Sequence, residues 1–331
     1  MEFRKVIRNE VEYRFDPLTH DQCRINPERA KRVKQAGSDI GLSEITSKSR
    51  KTCPFCPERV EEKAPKFSRE ICKEGRIKLG ETIIFPNLNP FGENHAVGII
   101  SQAHFLDLDE FSAKMLQDNL TASKDYILSV YEKDKEALWP IYVWNYMPPS
   151  AGSIIHPHVQ ILVENEPLPM QAKLLQKSEE YFSHNGQNYW EELIEQEKIL
   201  DERFIYDGEY LAVLASFAPR GFNEIQFIFK NISSLAELGK KQIADFASCL
   251  IKALKGYKKL GIGSFNLVTF SSPIGEKLDY YRLDARLISR PYPQGVYTND
   301  TGPFERLYDA WVIDTLPEMV AKQLRPFFEI K

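Results

Sequence analysis

The sequence predicts an α+β fold in which one unit of strands and helices occurs twice. Strands and one long helix in the first half are followed, after a charged helical stretch, by the same elements in the second half. Two passages also overlay: residues 103–111 match residues 230–238, and the His-Pro-His at 156–158 matches the Asp-Ala-Arg at 284–286. Only the first copy keeps the histidines, whereas a purely structural histidine pair would be needed in both. This asymmetry indicates a functional site in the first half.

The composition favours a soluble globular chain that binds neither nucleic acid nor membranes. The 331 residues are 43% hydrophobic and 27% charged, with a formal net charge of −4, which suits one large domain or two smaller ones. No apolar stretch reaches the ~18 residues that a membrane-spanning helix requires, and the first residues do not resemble a signal peptide. The five cysteines are scattered and odd in number, so we expect a cytoplasmic protein without a disulfide framework.

The first half is predicted to contain four strands and one long helix. They are a strand from residue 83 that turns by 91, a strand over 95–101, a helix over 106–132, a strand over 139–146, and a strand that begins near 156. The helix is predicted because apolar side chains recur at helical spacing. Residues 37–51 are polar and predict a loop.

The second half is predicted to repeat these elements after a helical connector. The connector has helices over 168–184 and 189–200, and it is followed by strands over 210–215 and 224–229, a helix over 233–257, and strands over 265–270 and 282–288. We expect three parts: an N-terminal half (1–166), a connector (167–203) and a C-terminal half (204–331).

The segment that ends the first half carries the most informative residues. From His156 the chain alternates like a strand, which puts His156, His158 and Gln160 on one face and apolar residues on the other. Pro157 offers no ladder donor, so it fits only at a strand start or a sheet edge. Half-buried histidines in an ordinary strand are the alternative. We favour a functional site, because burying three unsatisfied polar groups together is costly.

Two further features are ambiguous by themselves. The Cys53-x-x-Cys56 pair is typical both of redox motifs and of half-sites for zinc. With no second such pair, the remaining metal ligands would be histidines or carboxylates from elsewhere. The basic residues Arg29, Lys31 and Arg32 suit solvent exposure, and they also suit bidentate contacts with phosphates.

In combination, these motifs resemble the galactose-1-phosphate uridylyltransferase family of the histidine-triad superfamily over nearly the whole chain. The matching segments are Asp16-Pro-Leu-Thr and residues 27–32 (nucleotide-sugar contacts), Cys53-Pro-Phe-Cys-Pro57 (zinc knuckle), His104 (third zinc ligand), Asn145 and Ser153 (substrate contacts), and His156-Pro-His-Val-Gln160 (active site). The resemblance implies two histidine-triad-like repeats, with mainly antiparallel sheets and flanking helices. It also implies a homodimer.

The resemblance implies a metal site and an active site. One structural zinc ion per chain would be held by four ligands, Cys53, Cys56, His104 and His156, with no open position. The nucleophile would be His158, as a neutral imidazole whose other nitrogen donates to a backbone carbonyl. Substrate-binding positions are expected at Arg29, Arg32, Asn87, Asn145, Ser153 and Gln160.

The implied reaction moves a nucleoside monophosphate between a nucleotide sugar and a sugar 1-phosphate through a nucleotidyl-histidine. Gln160 would also assist catalysis, as a hydrogen-bond donor to the phosphoryl oxygens. Histidine-triad hydrolases carry a third histidine at this position, which can protonate a poor leaving group. A sugar phosphate leaves as an anion and needs no such proton, so a glutamine fits transfer between phosphates.

The sequence departs from the family pattern at three places. Val159 replaces a glycine, and Leu88 replaces the aspartate of an Asn-Asp-Phe-Pro motif, as in the family's adenylyl-transferring plant branch. Asp284-Ala-Arg286 replaces a second His-x-His, so we expect no second metal. Alternative functions are an ADP-glucose or dinucleoside-polyphosphate phosphorylase or hydrolase on the same fold, and a non-catalytic zinc-stabilised nucleotide-binding protein.

Overall fold

A computed structural model describes residues 1–31 and 41–329 of the chain. Within these ranges the chain forms fourteen β-strands in two sheets and eight α-helices, which confirms the α+β class. In the described part of the chain, no helix combines the length and apolar character that crossing a membrane requires.

The large sheet has ten strands, and each neighbouring pair is antiparallel. Its spatial order is β4 (Ile77–Leu79), β5 (Thr82–Pro86), β6 (Asn94–Ile99), β8 (His158–Glu164), β7 (Trp139–Tyr146), β12 (Phe265–Phe270), β13 (Asp284–Ser289), β11 (Phe222–Phe229), β10 (Leu211–Ala215) and β9 (Phe204–Asp207). The first half of the chain supplies five strands and the second half supplies the other five in the reverse order. The two sets join where β7 pairs with β12.

A smaller sheet joins the two ends of the chain. Its order is β1 (Lys5–Arg8), β2 (Val11–Phe15), β3 (Gln22–Ile25) and β14 (Trp311–Ile313). The pairing of β14 with β3 is parallel, and such long-range pairing leaves no local signal in the sequence. The strand β14 was accordingly not predicted.

The helices cover the two faces of the large sheet unequally. They are α1 (Leu42–Arg50), α2 (Pro57–Lys63), α3 (Ala113–Lys133), α4 (Pro169–Asn185), α5 (Tyr189–Leu200), α6 (Lys240–Lys259), α7 (Pro303–Leu307) and α8 (Pro317–Glu329). The main core lies between one face and α3, α6 and α8. On the other face, α4 and α5 cover the second half, while a small cluster around Phe85 and Val97 borders the first half. This thinner cover leaves room for a site.

Two helices differ from the prediction at their N-termini. The helix α3 begins at Ala113 rather than at residue 106, because the Ser112 side chain accepts a hydrogen bond from the Met115 amide and caps the helix there. The helix α6 begins at Lys240 rather than at 233, and the preceding residues form a separate 3₁₀ turn over Leu235–Glu237.

The predicted loop over 37–51 is wrong where the structure describes it. Residues Leu42–Arg50 form α1 instead. No side chain of α1 is fully buried, and its nine residues include only two apolar ones, Leu42 and Ile45, so the segment has little apolar character to signal a helix. Contacts with the following segment hold its C-terminal end, where the Arg59 guanidinium donates to the Arg50 carbonyl at 2.7 Å.

The pairing register relates the two halves residue by residue. On β8, His158 lies opposite Ile99 and Gln160 opposite Val97, while on β13, Asp284 lies opposite Ile228 and Arg286 opposite Gln226. The Ile100 amide, just after β6, donates to the Pro157 carbonyl, and the Phe229 amide at the end of β11 donates to the Leu283 carbonyl in the same way. Asp284 therefore corresponds to His158 rather than to His156. The overlay of the two tripeptides was wrong by two residues, because it ignored strand register.

Candidate metal centre and active site

Four buried side chains from three separate segments converge beside the start of β8. The sulfur atoms of Cys53 and Cys56 and one ring nitrogen each of His104 and His156 lie within 4.8 Å of one another. The Cys56 sulfur is 3.4 Å from Nδ1 of His104 and 3.7 Å from Nδ1 of His156, and the Cys53 sulfur is 3.8 Å from Nδ1 of His156. Among the described residues, this cluster is the group that could hold a metal ion.

Local backbone geometry brings the two sulfurs together. Cys56 is the N-cap of α2, and Pro57 occupies the first helical position, where its missing amide proton is not needed. Arg59 then holds the knuckle closed, since its Nε donates to the Cys53 carbonyl at 2.7 Å. The Cys-Pro-Phe-Cys-Pro sequence therefore folds as a turn that points both sulfurs to one place.

Each histidine of the cluster is held by its other ring nitrogen. The His156 Nε2 lies 2.7 Å from the Ser101 carbonyl oxygen, which can only accept, so Nε2 carries the proton. The His104 Nε2 lies 2.8 Å from Oγ of Ser49, whose own hydroxyl donates to the Thr46 carbonyl. Both Nδ1 atoms are therefore left with a lone pair that faces the sulfurs, as metal-binding histidines require. Ser49 lies on α1 and was missed in the sequence.

Burial sets the protonation of the cluster. It raises the pKa of the Cys53 thiol to about 11, and it lowers the pKa of His156 to about 4. The pKa of His104 is also lowered, first by burial and then by Arg50. Neutral imidazoles are the form that binds metal, whereas the thiols need a cation nearby to ionise.

His158 lies just beyond the cluster, at the first residue of β8. Its Nδ1 is 2.7 Å from the His156 carbonyl oxygen, so Nδ1–H donates and Nε2 keeps its lone pair. Burial lowers the pKa of His158, which keeps the ring neutral. The ring of Phe55 packs edge-on against it at 5.2 Å. A neutral ring with a free Nε2 lone pair is the state that a nitrogen nucleophile needs.

A cavity of about 310 Å³ opens beside His158. Its walls include the apolar side chains Phe55, Phe85, Leu88 and Val97, and its polar lining includes Lys63, Asn87, Asn89, Ser153, His158 and Gln160. An apolar slot with a few convergent polar groups is typical of small-ligand sites. Lys63 and Asn89 were not predicted as site residues.

The predicted substrate-binding residues are only partly brought together. Asn87, Ser153 and Gln160 line the cavity. Asn145 lies on the same sheet face, because it follows Val143 by two residues and Val143 pairs with Gln160. Its Oδ1 accepts a hydrogen bond from Nδ2 of Asn266 at 2.6 Å.

Neither predicted arginine is among the described residues that line this cavity. Arg29 is exposed on the 3₁₀ turn Pro27–Lys31 and is not among the residues that line the cavity, while Arg32 falls outside the described residues. Their contacts with substrate stay predictions.

Behind Gln160 lies a histidine to which the sequence analysis gave no role in the active site. His95 is 4% exposed, and its Nε2 is 2.9 Å from Oε1 of Gln160 and 3.1 Å from Nδ2 of Asn87. It lies on β6, on the same face as Val97, the residue that pairs with Gln160. Nothing in the local sequence distinguishes a histidine with these contacts from an ordinary strand histidine.

The corresponding position in the second half holds a closed charge cluster. Arg286 donates from Nε to Asp284 at 2.7 Å and lies 3.8 Å from Glu224. All three side chains are buried, and burial raises the pKa of Asp284 and of Glu224. The helices α4 and α5 cover this face. Ion pairs therefore lie here at the positions that His158 and Gln160 occupy in the first half.

The sequence and the fold were compared with known proteins. No family model matches the sequence. An uncharacterized protein of Archaeoglobus fulgidus is 30% identical over 326 residues, which are 97% of this chain and 93% of that protein. The galactose-1-phosphate uridylyltransferase of Rattus norvegicus is 26% identical over 217 residues, which are 62% of this chain and 57% of the rat enzyme.

Among solved structures, an ADP-glucose phosphorylase from Arabidopsis thaliana with bound ADP-glucose superposes with a TM-score of 0.75. The superposition covers 97% of this chain and 99% of that chain at 21% identity. The chain thus belongs to one family with the Archaeoglobus protein, and its fold is similar to that of the Arabidopsis ADP-glucose phosphorylase.

Proposed function

We propose that the protein is a nucleotidyltransferase that forms a covalent nucleotidyl-histidine at His158. The observation that carries this proposal is the state of the His158 ring at the cavity. Its Nδ1–H is bound to the His156 carbonyl, and its pKa is lowered by burial, so Nε2 is a neutral nucleophile at the cavity wall. Gln160 lies two residues further along the same strand face.

Zinc is the metal that suits the Cys53, Cys56, His104 and His156 cluster best. Two thiolates and two imidazoles are a common structural zinc set, and Zn–S and Zn–N bonds at a tetrahedral angle put sulfur about 3.6 Å from nitrogen. The sulfur–nitrogen distances of 3.4, 3.7 and 3.8 Å fit that value. Four protein ligands leave no open position, so the zinc would anchor His156 and the start of β8 rather than take part in bond changes.

The chemistry is a double displacement at phosphorus. The Nε2 lone pair of His158 attacks the α-phosphorus of a nucleotide sugar, the P–N bond forms, and the P–O bond to the sugar phosphate breaks. The sugar 1-phosphate leaves as an anion and takes no proton. A phosphate oxygen of the acceptor then attacks the same phosphorus and breaks the P–N bond. Gln160 and Ser153, which line the cavity, would donate to the non-bridging oxygens as charge shifts.

The acceptor distinguishes two candidate reactions. In a uridylyltransferase the acceptor is a hexose 1-phosphate, and in an ADP-glucose phosphorylase it is inorganic phosphate. The sequence match to the rat enzyme favours the first candidate. Leu88 at the cavity favours the second, because its side chain is 72% exposed and offers no acceptor to a uridine nucleotide. We favour uridylyl transfer narrowly and expect reaction with both nucleotide sugars.

Steady-state kinetics test this proposal. Purified protein is given UDP-glucose or ADP-glucose, each with galactose 1-phosphate or inorganic phosphate, and product is followed over both substrate concentrations. Parallel double-reciprocal lines are expected for a covalent intermediate. The variant His158→Ala should keep the fold and the metal and lose turnover by several orders of magnitude. Turnover in His158→Ala close to the wild-type value would contradict the proposed intermediate.

A further inference from the structure

We infer that His95 is a positioning residue that holds the Gln160 side-chain amide with its NH₂ group toward the substrate. This inference rests on the proposed function, since it concerns how Gln160 meets a reacting phosphoryl group. A glutamine can present either its oxygen or its NH₂ group, and only the NH₂ group stabilises a phosphoryl oxygen. Something must therefore select one of the two orientations.

The hydrogen bonds around His95 identify its tautomer. The backbone amide of Phe91 donates to Nδ1 of His95 at 3.4 Å, so Nδ1 carries no proton. Burial lowers the pKa of His95 and keeps the ring neutral, and the single ring proton therefore lies on Nε2. That nitrogen is 2.9 Å from Oε1 of Gln160, which accepts. The Gln160 oxygen is thereby engaged, and its NH₂ group is left for the cavity.

Asn87 places a second donor beside the same His95 nitrogen, so the Phe91 amide is the contact that assigns the tautomer. Its Nδ2 lies 3.1 Å from the same His95 nitrogen, and its Oδ1 accepts from the Asn89 amide at 3.0 Å. Turning the Asn87 amide over would set its NH₂ group against that backbone donor. With Nε2 of His95 protonated, the Asn87 NH₂ group gains no acceptor there, so it remains available to a ligand in the cavity that Asn87 lines.

The second half of the chain supports a specific contact at this place. Gln226 corresponds to Val97, so Glu224, two residues earlier, corresponds to His95. The ion-pair partner of Glu224 is Arg286, which corresponds to Gln160. The sheet geometry thus brings these two positions together in both halves. In the first half the pair is a neutral donor and an amide oxygen, which orients a group without introducing a charge beside the phosphate.

The experiment is a double-mutant cycle on the rate of nucleotidylation. Wild type, His95→Phe, Gln160→Ala and the double variant are mixed with UDP-glucose or ADP-glucose in single turnover, and the covalent adduct is quantified by intact mass. His95→Phe keeps a ring to pack on Phe91 but removes the donor. It should slow adduct formation about tenfold, which corresponds to one lost hydrogen bond. The apparent Kd for the nucleotide sugar should change little.

The remaining variants separate positioning from a structural role. In the Gln160→Ala background, His95→Phe should have no further effect, because nothing is left to orient. His95→Gln, whose amide nitrogen reaches the place of Nε2, should restore most of the rate, and His95→Asn, whose donor is too short, should not. The latter pair still tests the inference if His95→Phe does not fold.

Two outcomes have different meanings. An equal penalty for His95→Phe with and without Gln160, or equal rates for His95→Gln and His95→Asn, overturns the positioning role and leaves the proposed function intact. No adduct in the wild type with either nucleotide sugar overturns the proposed function, and this inference with it.

Discussion

The variant Ser49→Ala should weaken metal binding without touching a metal ligand. The Ser49 hydroxyl lies 2.8 Å from Nε2 of His104. Because the hydroxyl donates its own hydrogen to the Thr46 carbonyl, its oxygen accepts a hydrogen bond from Nε2–H of His104. Removing such an outer partner costs about 10- to 100-fold in metal affinity, or about 1.4 to 2.7 kcal/mol. We expect the low end, about tenfold, because the Thr46 carbonyl also attracts the His104 proton and remains in the variant. The partner of His156 is a main-chain carbonyl, so only His104 can be tested in this way.

The assay is equilibrium competition for zinc with a chromophoric chelator at fixed pH. The control is Ser47→Ala, which removes the same hydroxyl from an exposed position on the same helix. Ser47→Ala should bind zinc as tightly as the wild type does. Equal zinc affinities in the two variants would refute the reasoning that α1 supports the metal centre.

Three further predictions concern the metal, the acid limit of stability and the nucleotide. Cys53→Ser should lower both the metal content, from about one zinc per chain, and the melting temperature, since metal binding is coupled to folding; full metal retention would point to other ligands. Burial would raise the pKa of Glu318, but Arg14 and then Arg203 lower it from 4.5 to about 2. The Glu318 carboxylate therefore stabilises the fold above pH 4.5, and this stabilisation is lost as the pH falls toward 2. Glu318→Gln should therefore cost about 1 to 2 kcal/mol at pH 7, a figure reduced for partial exposure, and little at pH 2, as urea unfolding at both pH values would show. Leu88→Asp should change the ratio of kcat/KM for UDP-glucose and ADP-glucose by about tenfold, because a carboxylate at the cavity accepts hydrogen bonds that leucine does not. An unchanged ratio would show that the nucleobase binds away from residue 88.

The parts of the site that the sequence predicts are those with a short-range pattern. The Cys53-Pro-Phe-Cys56 turn and the alternation after His156 are local, because backbone geometry over a few residues determines where these side chains point. The apolar spacing of α3 likewise predicted a helix, although only its Ser112 cap defines where it begins. The α+β class follows from such patterns and is confirmed, as are the mainly antiparallel sheets that the family resemblance implied.

The parts that were missed depend on contacts between distant segments. The helix α1 has only two apolar residues and is recognised as part of the site only through the Ser49 contact to His104. The His95 contact to Gln160 requires the register of β6 on β8, and one histidine in a strand does not predict it. The same register corrected the overlay of the two halves, since a sequence match of three residues cannot distinguish a shift by two.

The division of the chain at residues 166 and 203 and the homodimer also remain proposals. The reversed strand order of the two halves supports the division, because each half contributes one contiguous set of five strands to the large sheet.

The central claim is the covalent intermediate on His158, and mass spectrometry tests it most directly. The protein is incubated with UDP-glucose or ADP-glucose in the absence of any acceptor and is weighed intact under alkaline conditions, which preserve phosphoramidate bonds. We expect one added nucleoside monophosphate per chain, its removal when the acceptor is supplied, and no adduct in His158→Ala with unchanged zinc content. An adduct that persists in His158→Ala, or turnover of the wild type without any adduct, would contradict it.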